Sequence, residues 1–576
     1  MTSGILGSTA TPQSCTERVA AAYRRLAEVD RPEVWITLRA EAEVAAEAAA
    51  IEARLAEGAV LPLAGILVAV KDNIDVAGLP TTAACPEFAY LPGETAAAIE
   101  RLVAAGALVL GKTNLDQFAT GLVGTRSPYG AVRHARNPEL ISGGSSSGSA
   151  VAVALGIADI GIGTDTAGSG RVPAALHGIA GIKASLGIIP THGVVPACAD
   201  YDAVTVFAAD LDRAVAAAAV MAGPEARDPR SRSWPADVRL AAPAAPRLAI
   251  PRAEELTDLT PAYREAFTRT VAALADSGIT TEIVDISGLL DAARLLYDGA
   301  IVAERYAAVG GFLASRPAGA DPTVAAIIAA AGETTGPGFV ADLDALARAR
   351  AAARELLDGF DGLLLPTTTE HPSIAAVQAD PIGINRRMGA YTNFCNLLDM
   401  AAVAVPGAPT ADGAPFGVMV VVPAFADQVA VDIAARITGS EAPALLDHGV
   451  DLAVFGAHLR GQPLHWQLEE IGARFAGEIR TTDAYRLTAL DTVPPKPGLV
   501  RHGAGLGAPI LGELFRVSPA GLGGFLAALP APMALTSIEL SDGRSVIGFA
   551  CTYDAAQAAT DITSYGGWKA FLQNRN

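Results

Sequence analysis

Cysteine and lysine are both scarce in this chain of 576 residues. The five cysteines are scattered and odd in number, and no Cys-x-x-Cys pair occurs. This pattern predicts neither a disulfide framework nor a structural zinc site, and it fits a reduced, cytoplasmic compartment. Only five of the 42 basic residues are lysine, so each lysine calls for a specific explanation.

Positive charge and long apolar runs are also limited. Asp and Glu number 61 against 42 Lys and Arg, which gives a net charge of −19. Because nucleic acids and anionic lipids are bound through clustered cations, we expect no nucleic-acid partner and no membrane partner. The apolar runs, such as residues 59–70, fall short of the ~20 residues of a membrane span. The N-terminus has no basic stretch followed by an apolar one, so no secretory signal is expected.

The eight histidines form no His-x-His or His-x-x-x-His pair, so we expect neither a metal nor another cofactor. Aromatic residues make up only 5% of the chain, but hydrophobic residues reach 51%. A chain this long and apolar can bury a large core, built mostly from Ala, Val, Leu and Ile.

Short β-branched apolar runs alternate with helical patterns over most of the chain. Strands are predicted at 65–70, 107–110, 160–163, 362–365 and 416–422, with long helices at 16–57 and 289–313. This order predicts an α/β fold with a mixed central sheet flanked by helices, over residues 1–440. After a linker at 439–451, shorter strands predict a small C-terminal α+β domain over residues 450–576.

Two short motifs suggest other chemistries, and their contexts argue against both. Residues 106–113 match the Gly-x-x-x-x-Gly-Lys-Thr phosphate loop, but the intervening Ala-Leu-Val-Leu is predicted to be a strand, which cannot wrap a phosphate. Residues 144–148 match Gly-x-Ser-x-Gly with Ser146 as nucleophile. No clean strand precedes them, as the nucleophile elbow of an α/β-hydrolase requires.

A third pattern combines serine, glycine and one lysine. Residues 142–149 are Ser-Gly-Gly-Ser-Ser-Ser-Gly-Ser, and residues 163–173 hold a second serine between glycines. Lys71 directly follows an apolar run, where desolvation lowers the pKa of an amine toward the range of a base at neutral pH. Glycines beside a serine let backbone N–H groups approach an oxyanion. Two serines and a lysine therefore provide a nucleophile, a proton relay and a base without histidine.

These stretches resemble the amidase signature family, whose motif is Gly-Gly-Ser-Ser-x-Gly-Ser followed by Gly-[Ser/Thr]-Asp-x-x-Gly-Ser-x-Arg-x-Pro, with an upstream lysine. The resemblance covers most of residues 15–437 and implies an amidase-signature fold and amide hydrolysis. It implies that Ser169 is the nucleophile, Ser145 the relay on a cis peptide, and Lys71 the general base. The two serines are 24 residues apart, as the motif requires.

The same resemblance implies an oxyanion hole made by the backbone N–H groups of Thr166, Ala167 and Gly168, together with that of Ser169. Ala167 stands where the family usually has glycine, which restricts the backbone near the hole. Ser147 also replaces a frequent glycine. Arg171 is expected to brace this loop by pairing with Asp165.

Longer segments resemble the allophanate hydrolases within this family. These segments are residues 118–129, 296–306 and 391–399, with further motifs between 454 and 568. The resemblance implies a homodimer that hydrolyses allophanate, the N-carboxylated urea made by a biotin-dependent urea carboxylase, and so implies functional coupling to that enzyme. The implied products are ammonia and carbon dioxide, with N-carboxycarbamate as the intermediate.

The family places a tyrosine and an arginine at the substrate carboxylate, and these correspond to Tyr297 and Arg305. Allophanate is a small planar anion, and the guanidinium fork matches a carboxylate. The alternative is a surface arginine paired with Glu304 beside a half-buried tyrosine. Gly121 and Gly124 are expected to line the same pocket through their backbone.

The C-terminal domain leaves two functions open. The resemblance implicates it in decarboxylating N-carboxycarbamate, and we expect His458 to take part, with His465 as the second candidate. The alternative is that the domain acts only in assembly. For the whole chain, the alternatives are another small-amide amidase or the A-type subunit of a tRNA-dependent amidotransferase, which predicts no appended domain.

Overall fold

The computed structural model describes residues 13–446 and 448–574, and the contacts within it divide the chain into two compact units. The first unit runs to Ser233 and resumes at Pro246–Leu445. The second unit comprises Trp234–Ala245 and the chain from Leu446 onward. The segment 234–245 contains no helix or strand, yet it packs with the second unit.

The first unit is built on one sheet of eleven strands within the described residues. In chain order these are β1 (Trp35–Leu38), β2 (Leu67–Lys71), β3 (Leu108–Thr113), β4 (Ile160–Asp165), β5 (Ala180–Lys183), β6 (Ala203–Ala208), β7 (Arg247–Pro251), β8 (Thr280–Val284), β9 (Gly362–Pro366), β10 (Met400–Pro406) and β11 (Gly417–Pro423). Their spatial order is β1-β3-β2-β4-β6-β5-β10-β11-β9-β7-β8.

Parallel and antiparallel pairs both occur in this sheet. Strand β2 is parallel to β3 and β4, and β7 is parallel to β8 and β9. The remaining neighbours are antiparallel. The predicted mixed α/β fold is therefore confirmed.

Helices surround the sheet. They are α1 (Cys15–Val29), α2 (Glu41–Ala56), α3 (Ala97–Ala104), α4 (Ser147–Ala154), α5 (Val172–His177), α6 (Leu211–Met221), α7 (Pro261–Ala273), α8 (Ser287–Asp298), α9 (Ala303–Leu313), α10 (Pro322–Ala331), α11 (Gly336–Leu356), α12 (Ile374–Ala379), α13 (Gly383–Met388), α14 (Asn393–Leu397) and α15 (Asp427–Thr438). Among the described residues, no single helix is long and apolar enough to cross a membrane. The bent pair α10 and α11 reaches that length and apolarity only when taken together, at 95° to each other.

Two helices predicted as continuous are interrupted. The predicted helix 16–57 is α1, β1 and α2, because Asp30 adopts a left-handed φ of 46° and Pro32 follows it. The predicted helix 289–313 is α8 and α9, because Gly299 is extended between them. Tyr297 and Arg305 therefore lie on different helices.

The edge of the sheet that carries the site is set by β2 and β4. These strands are parallel, so their carboxyl ends lie at the same edge. Lys71 is the last residue of β2, and Asp165 is the last residue of β4. Helix α4 is buried from Ser147 to Val153 and begins two residues after Ser145. This arrangement brings three separate parts of the sequence to one point.

The second unit contains a five-stranded sheet of order β13-β16-β12-β18-β17 and a three-stranded sheet of order β15-β14-β19. The strands are β12 (Val450–Val454), β13 (Arg474–Arg480), β14 (Tyr485–Leu490), β15 (Lys496–Arg501), β16 (Leu511–Val517), β17 (Met533–Glu539), β18 (Ser545–Cys551) and β19 (Thr560–Asp561). The helices are α16 (Trp466–Glu470), α17 (Pro519–Ala527), α18 (Tyr553–Ala558) and α19 (Trp568–Gln573). A hairpin turn between Glu539 and Ser545 joins β17 and β18.

Candidate active site

Lys71, Ser145 and Ser169 form one continuous chain of hydrogen bonds. The Nζ atom of Lys71 donates to Ser145 Oγ over 2.8 Å, and Ser145 Oγ donates to Ser169 Oγ over 2.9 Å. Lys71 and Ser145 are fully buried, and Ser169 is 3% exposed. The peptide bond between Gly144 and Ser145 is cis. The structure thus brings together the three residues predicted as nucleophile, relay and base, in that order of contact.

The second partner of Lys71 is Thr164, which no feature of the sequence singled out. Lys71 Nζ donates to Thr164 Oγ1 over 2.7 Å. Two fixed acceptors orient the amine, because an ammonium or amine on a flexible stem otherwise samples many positions. Thr164 lies on β4 next to Asp165, so its position follows from the parallel pairing of β2 with β4.

Burial lowers the pKa of Lys71 to about 7, and the negative charges of Asp116, Asp202 and Asp165 act in the opposite direction. Both hydrogen-bond partners of the amine are neutral hydroxyls. A large fraction of Lys71 is therefore uncharged near neutral pH and can accept a proton from Ser145.

The loop after β4 is fixed by a buried ion pair between Arg171 and Asp165. Two guanidinium nitrogens of Arg171 donate to the two oxygens of Asp165, each over 2.9 Å, and both side chains are fully buried. Burial opposes ionisation of Asp165, but Arg171 and the N–H of Gly170 hold its pKa below the ordinary value. The expected bracing role of Arg171 matches this geometry.

The predicted oxyanion hole needs one correction. The N–H of Gly168 donates to Asp165 Oδ1 over 2.8 Å, so it is already engaged. Within the described residues, the N–H groups of Thr166, Ala167 and Ser169 donate to no protein acceptor. These three N–H groups are the ones that remain available to an oxyanion next to Ser169.

Gly168 is required for its conformation instead. Its φ is 136°, and a Cβ atom there would lie 2.4 Å from Thr392 Oγ1. Thr392 Oγ1 donates to the carbonyl oxygen of Ala167 over 2.6 Å. This contact holds the Ala167 carbonyl in place at the start of α14.

Arg305 is a buried cation without a carboxylate partner. It is 1% exposed, and among the described residues it forms no ion pair. Its guanidinium donates to Thr120 Oγ1 over 2.9 Å and to Tyr297 Oη over 3.3 Å, and its Nε has no acceptor. The alternative of a surface arginine paired with Glu304 is wrong, because Arg305 is buried and, among the described residues, forms no ion pair.

Glu304 is nonetheless close to this region. Burial raises the pKa of Glu304 to about 7, and the nearby charges of Asp200 and Asp202 act in the same direction. The charge of Arg305 also acts to lower the pKa of Lys71. A buried guanidinium without a carboxylate partner is a site for an anionic substrate.

Gly121 and Gly124 lie around the carboxylate of Asp116. The N–H of Gly124 donates to Asp116 Oδ2 over 2.9 Å, and its carbonyl accepts from Val132, so the predicted pocket-lining role of Gly124 is not supported by its contacts. A Cβ atom at Gly121 would lie 2.6 Å from Asp116 Oδ2. Gly121 follows Thr120, the partner of Arg305, and its role in the pocket stays a prediction.

A cavity of about 370 Å³ is lined by Tyr297 from α8 and Asn393 from α14, and its lining does not include Ser169, Ser145, Lys71 or Arg305. With its amide turned to satisfy its neighbours, Asn393 donates to the carbonyl of Ala167 over 2.9 Å. Tyr297, which accepts a hydrogen bond from Arg305, and Asn393 relate this cavity to the proposed site.

The two rejected motifs have other structural roles. Residues 108–113 are strand β3, and Lys112 forms a buried ion pair with Asp72 over 3.2 Å. Ser146 Oγ donates to the carbonyl of Thr164 over 3.0 Å. Neither motif presents a phosphate cradle or an exposed nucleophile. In the described part of the chain, no cluster of three or more His, Cys, Asp or Glu side chains could hold a metal ion.

The second unit has its own cavity, of about 380 Å³, lined by His458, Gln467 and Lys496 among mostly apolar residues. His458 is stacked on Phe549 with a centroid distance of 4.7 Å, and its Nε2 lies 2.9 Å from Gln467 Oε1. Burial lowers the pKa of His458, and the charge of Lys496 acts in the same direction. His465 does not line this cavity; its Nδ1 contacts the carbonyl of His458.

Sequence reasoning missed Asp116 and Asp202. Asp202 accepts hydrogen bonds from Thr166 Oγ1 and from the N–H groups of Ala197 and Cys198. Asp116 accepts from three backbone N–H groups. Neither carboxylate lies near a recognisable motif serine in the sequence, so spacing alone offered no signal for them.

Comparison with known proteins finds two family matches along the chain. Residues 17–431 match the Amidase family, and residues 450–573 match the Allophanate hydrolase C-terminal domain. The chain is 40% identical to the urea amidolyases of Saccharomyces cerevisiae and Lachancea kluyveri, over 89% and 93% of its length. It spans only 30% and 31% of those two proteins.

A solved structure of allophanate hydrolase from Kluyveromyces lactis superposes on the chain with a TM-score of 0.86 and 38% identity. The alignment covers 98% of this chain and 97% of that one. Both units are therefore represented in the matched protein. The chain belongs to the amidase family and carries, after its amidase domain, the allophanate hydrolase C-terminal domain.

Proposed function

We propose that this protein hydrolyses allophanate to ammonia and N-carboxycarbamate in its first unit, by a Ser169–Ser145–Lys71 mechanism. The single observation that carries the proposal is Arg305, a guanidinium that is 1% exposed and has no carboxylate partner. A buried cation of this kind is costly unless an anion binds to it. Allophanate offers a planar carboxylate together with a terminal amide.

The mechanism uses the contacts of this hydrogen-bond chain with the hydroxyl protons rotated, so that Ser169 Oγ donates to Ser145 Oγ and Ser145 Oγ donates to neutral Lys71. Neutral Lys71 accepts the proton of Ser145 Oγ, and Ser145 accepts that of Ser169 as Ser169 Oγ attacks the amide carbon. The oxyanion that forms accepts from the free N–H groups of Thr166, Ala167 and Ser169. The proton returns through Ser145 to the departing ammonia, and water then hydrolyses the acyl-enzyme.

For the second unit we propose decarboxylation of N-carboxycarbamate in the cavity that contains His458, which completes the conversion to ammonia and carbon dioxide. The cavity provides a neutral imidazole and the cation Lys496, which suit an anionic ligand. We further propose a cytoplasmic homodimer that is functionally coupled to a urea carboxylase. The match to urea amidolyases supports the coupling.

The test is ammonia released per allophanate consumed, by wild type and by Ser169→Ala. We expect ammonia release to fall by roughly 10⁴-fold or more in Ser169→Ala. Ser147→Ala is the matched control, because Ser147 Oγ makes only a 3.4 Å contact with the Asn114 carbonyl, and it is expected to keep its activity. Turnover of other small amides without turnover of allophanate would contradict the substrate assignment. An amidotransferase subunit is disfavoured by the matched C-terminal domain.

A further inference from the structure

The proposed reaction creates a positive charge that lacks a direct counter-ion. When Lys71 accepts the proton it becomes an ammonium in a fully buried position, and its two contacts, Ser145 and Thr164, are neutral. Among the described residues no carboxylate forms an ion pair with it. An isolated buried charge costs several kcal/mol, so a more distant anion must offset it.

Three carboxylates act on Lys71, and two of them have other partners. Asp165 is paired with Arg171. Asp202 accepts the hydroxyl of Thr166 and also faces the charge of Arg305. Asp116 has the largest effect on Lys71 of the three, and within the described residues it forms no ion pair.

Among the described residues, the donors to the Asp116 carboxylate are all main-chain N–H groups. Its Oδ2 accepts from the N–H groups of Val123 and Gly124 over 3.1 and 2.9 Å, and its Oδ1 accepts from that of Arg126 over 3.0 Å. The guanidinium of Arg126 points elsewhere, to the carbonyls of Thr120 and Pro381. The charge of Asp116 is therefore fixed in position without being neutralised locally.

Asp116 also contacts the Gly144–Ser145 segment that carries the relay serine. The main-chain N–H of Asp116 donates to the carbonyl of Ser145 over 3.1 Å. A Cβ atom at Gly144 would lie 2.1 Å from Asp116 Oδ2, so glycine at 144 leaves the space that this carboxylate occupies. The turn at 120–126, which the Asp116 carboxylate holds, begins at Thr120, and the hydroxyl of Thr120 accepts a hydrogen bond from Arg305.

We propose that Asp116 is a positioning residue that holds the Ser145 peptide and the turn at 120–126 together, and that it supplies the negative charge that balances Lys71 while Lys71 carries the proton. Asp116 itself gains no proton. The proton moves from Ser169 to Ser145 and from Ser145 to Lys71 as the Ser169 Oγ–carbon bond forms, and it leaves with ammonia. The proposal rests on the proposed amide hydrolysis, but not on the identity of the substrate.

The experiment compares the pH dependence of kcat/KM for wild type and Asp116→Asn, with whichever amide the wild type turns over. Loss of the negative charge makes protonated Lys71 less stable, so the midpoint of the acid limb should fall by about one pH unit. We also expect kcat to fall at least tenfold. A purely structural role would lower kcat and leave the midpoint in place.

Asp228→Asn is the matched control. Asp228 is also buried, also holds a loop through backbone N–H groups, those of Thr191 and Arg230, and is not among the charges that act on Lys71. It should lose stability without a change of midpoint. An unchanged midpoint in folded Asp116→Asn, or an equal shift in Asp228→Asn, would overturn the proposal.

A second pair of variants covers the case in which Asp116→Asn does not fold. Asp116→Glu and Asp116→Gln have side chains of equal length and differ in charge, so the midpoint of the Gln variant should lie below that of the Glu variant. The rate at which a fluorophosphonate modifies Ser169 gives the same midpoint without any amide substrate. That measurement separates failure of this proposal from failure of the proposed reaction. Equal midpoints for Asp116→Glu and Asp116→Gln would contradict the proposed charge role of Asp116.

Discussion

The Nζ atom of Lys71 lies 2.8 Å from the Oγ atom of Ser145, inside a site where neither residue contacts solvent. What this contact can do depends on whether the Lys71 amine is protonated. A Lys71 ammonium can donate a hydrogen bond to Ser145, but only the neutral amine can accept the Ser145 proton. Burial, which lowers the pKa of Lys71 to about 7, is the physical reason that Lys71 can act as the proposed base.

The first prediction concerns the pH dependence of hydrolysis. We expect kcat/KM to rise with pH along an acid limb whose midpoint is near 7, because Lys71 must be neutral in the free enzyme. Initial rates of ammonia release between pH 5 and 9 would measure it. A limb near the ordinary lysine value of about 10 would contradict the assignment of Lys71 as base.

The second prediction concerns stability. The pKa of Lys71 is lower in the folded chain than in the unfolded chain, so between about pH 7 and 10 the unfolded state binds more protons. The free energy of unfolding should therefore rise with pH in this window, by up to ~1.4 kcal/mol per pH unit from this group.

Lys71→Met removes that contribution. The variant should gain stability relative to wild type at pH 6, and the difference should shrink as the pH rises toward 10. Denaturant unfolding at several pH values measures both curves. Parallel curves for the two proteins would show that Lys71 is not desolvated as the structure describes.

The proposed nucleophile and relay were predictable because the two serines lie 24 residues apart in motifs that resemble the amidase signature family. The same resemblance implied the cis peptide and the upstream lysine. Glycines in these motifs indicate where the backbone approaches closely. Thr164 and Asp116 were not predictable, because their roles depend on which strands are neighbours and on a turn that returns to Ser145. The engagement of the Gly168 N–H by Asp165 is likewise a matter of loop geometry that no spacing reveals.

The fold was predictable where apolar runs were short and bounded, as for β3 and β11. The fold was not predictable where a helix ends but the residues on both sides of its end have the composition of a helix. The stretch 16–57 is rich in Ala and Glu throughout, yet Asp30 and Pro32 end its first helix. Residues 234–245 belong to the second unit through tertiary contacts alone. The irregular composition of this segment contains no pattern that predicts those contacts.

The third prediction concerns Arg305. Arg305→Gln should lower kcat/KM for allophanate by roughly 10²–10³-fold, because it removes the charge and the fork that the carboxylate needs. Tyr297→Phe should cost about tenfold, since it removes only the hydroxyl that accepts from Arg305. Rates with a neutral amide of similar size serve as the control. Equal losses for the neutral and the anionic substrate would mean that Arg305 is a packing residue.

The fourth prediction concerns the loop of the oxyanion hole. Gly168→Ala should abolish activity and lower stability, because its φ of 136° disfavours a side chain and its Cβ would lie 2.4 Å from Thr392 Oγ1. Ala167→Gly is the control; its N–H is retained, and we expect activity within about threefold of wild type. Thermal unfolding and initial rates would measure both. An active Gly168→Ala variant would mean that this loop is not fixed as described.

The last prediction separates catalysis from assembly in the second unit. Truncation near residue 440 is a poor test, because it leaves the segment 234–245 without the unit that it packs with. The full chain with His458→Asn is the better choice, since His458 lines the cavity and contacts Gln467. His465→Asn is the matched control, because His465 does not line the cavity. We expect ammonia from the first amide hydrolysis to appear at the wild-type rate in both variants, and carbon dioxide to lag behind it only in His458→Asn. Carbon dioxide release that keeps pace in His458→Asn would assign the second unit to assembly, because uncatalysed breakdown of the intermediate would then suffice.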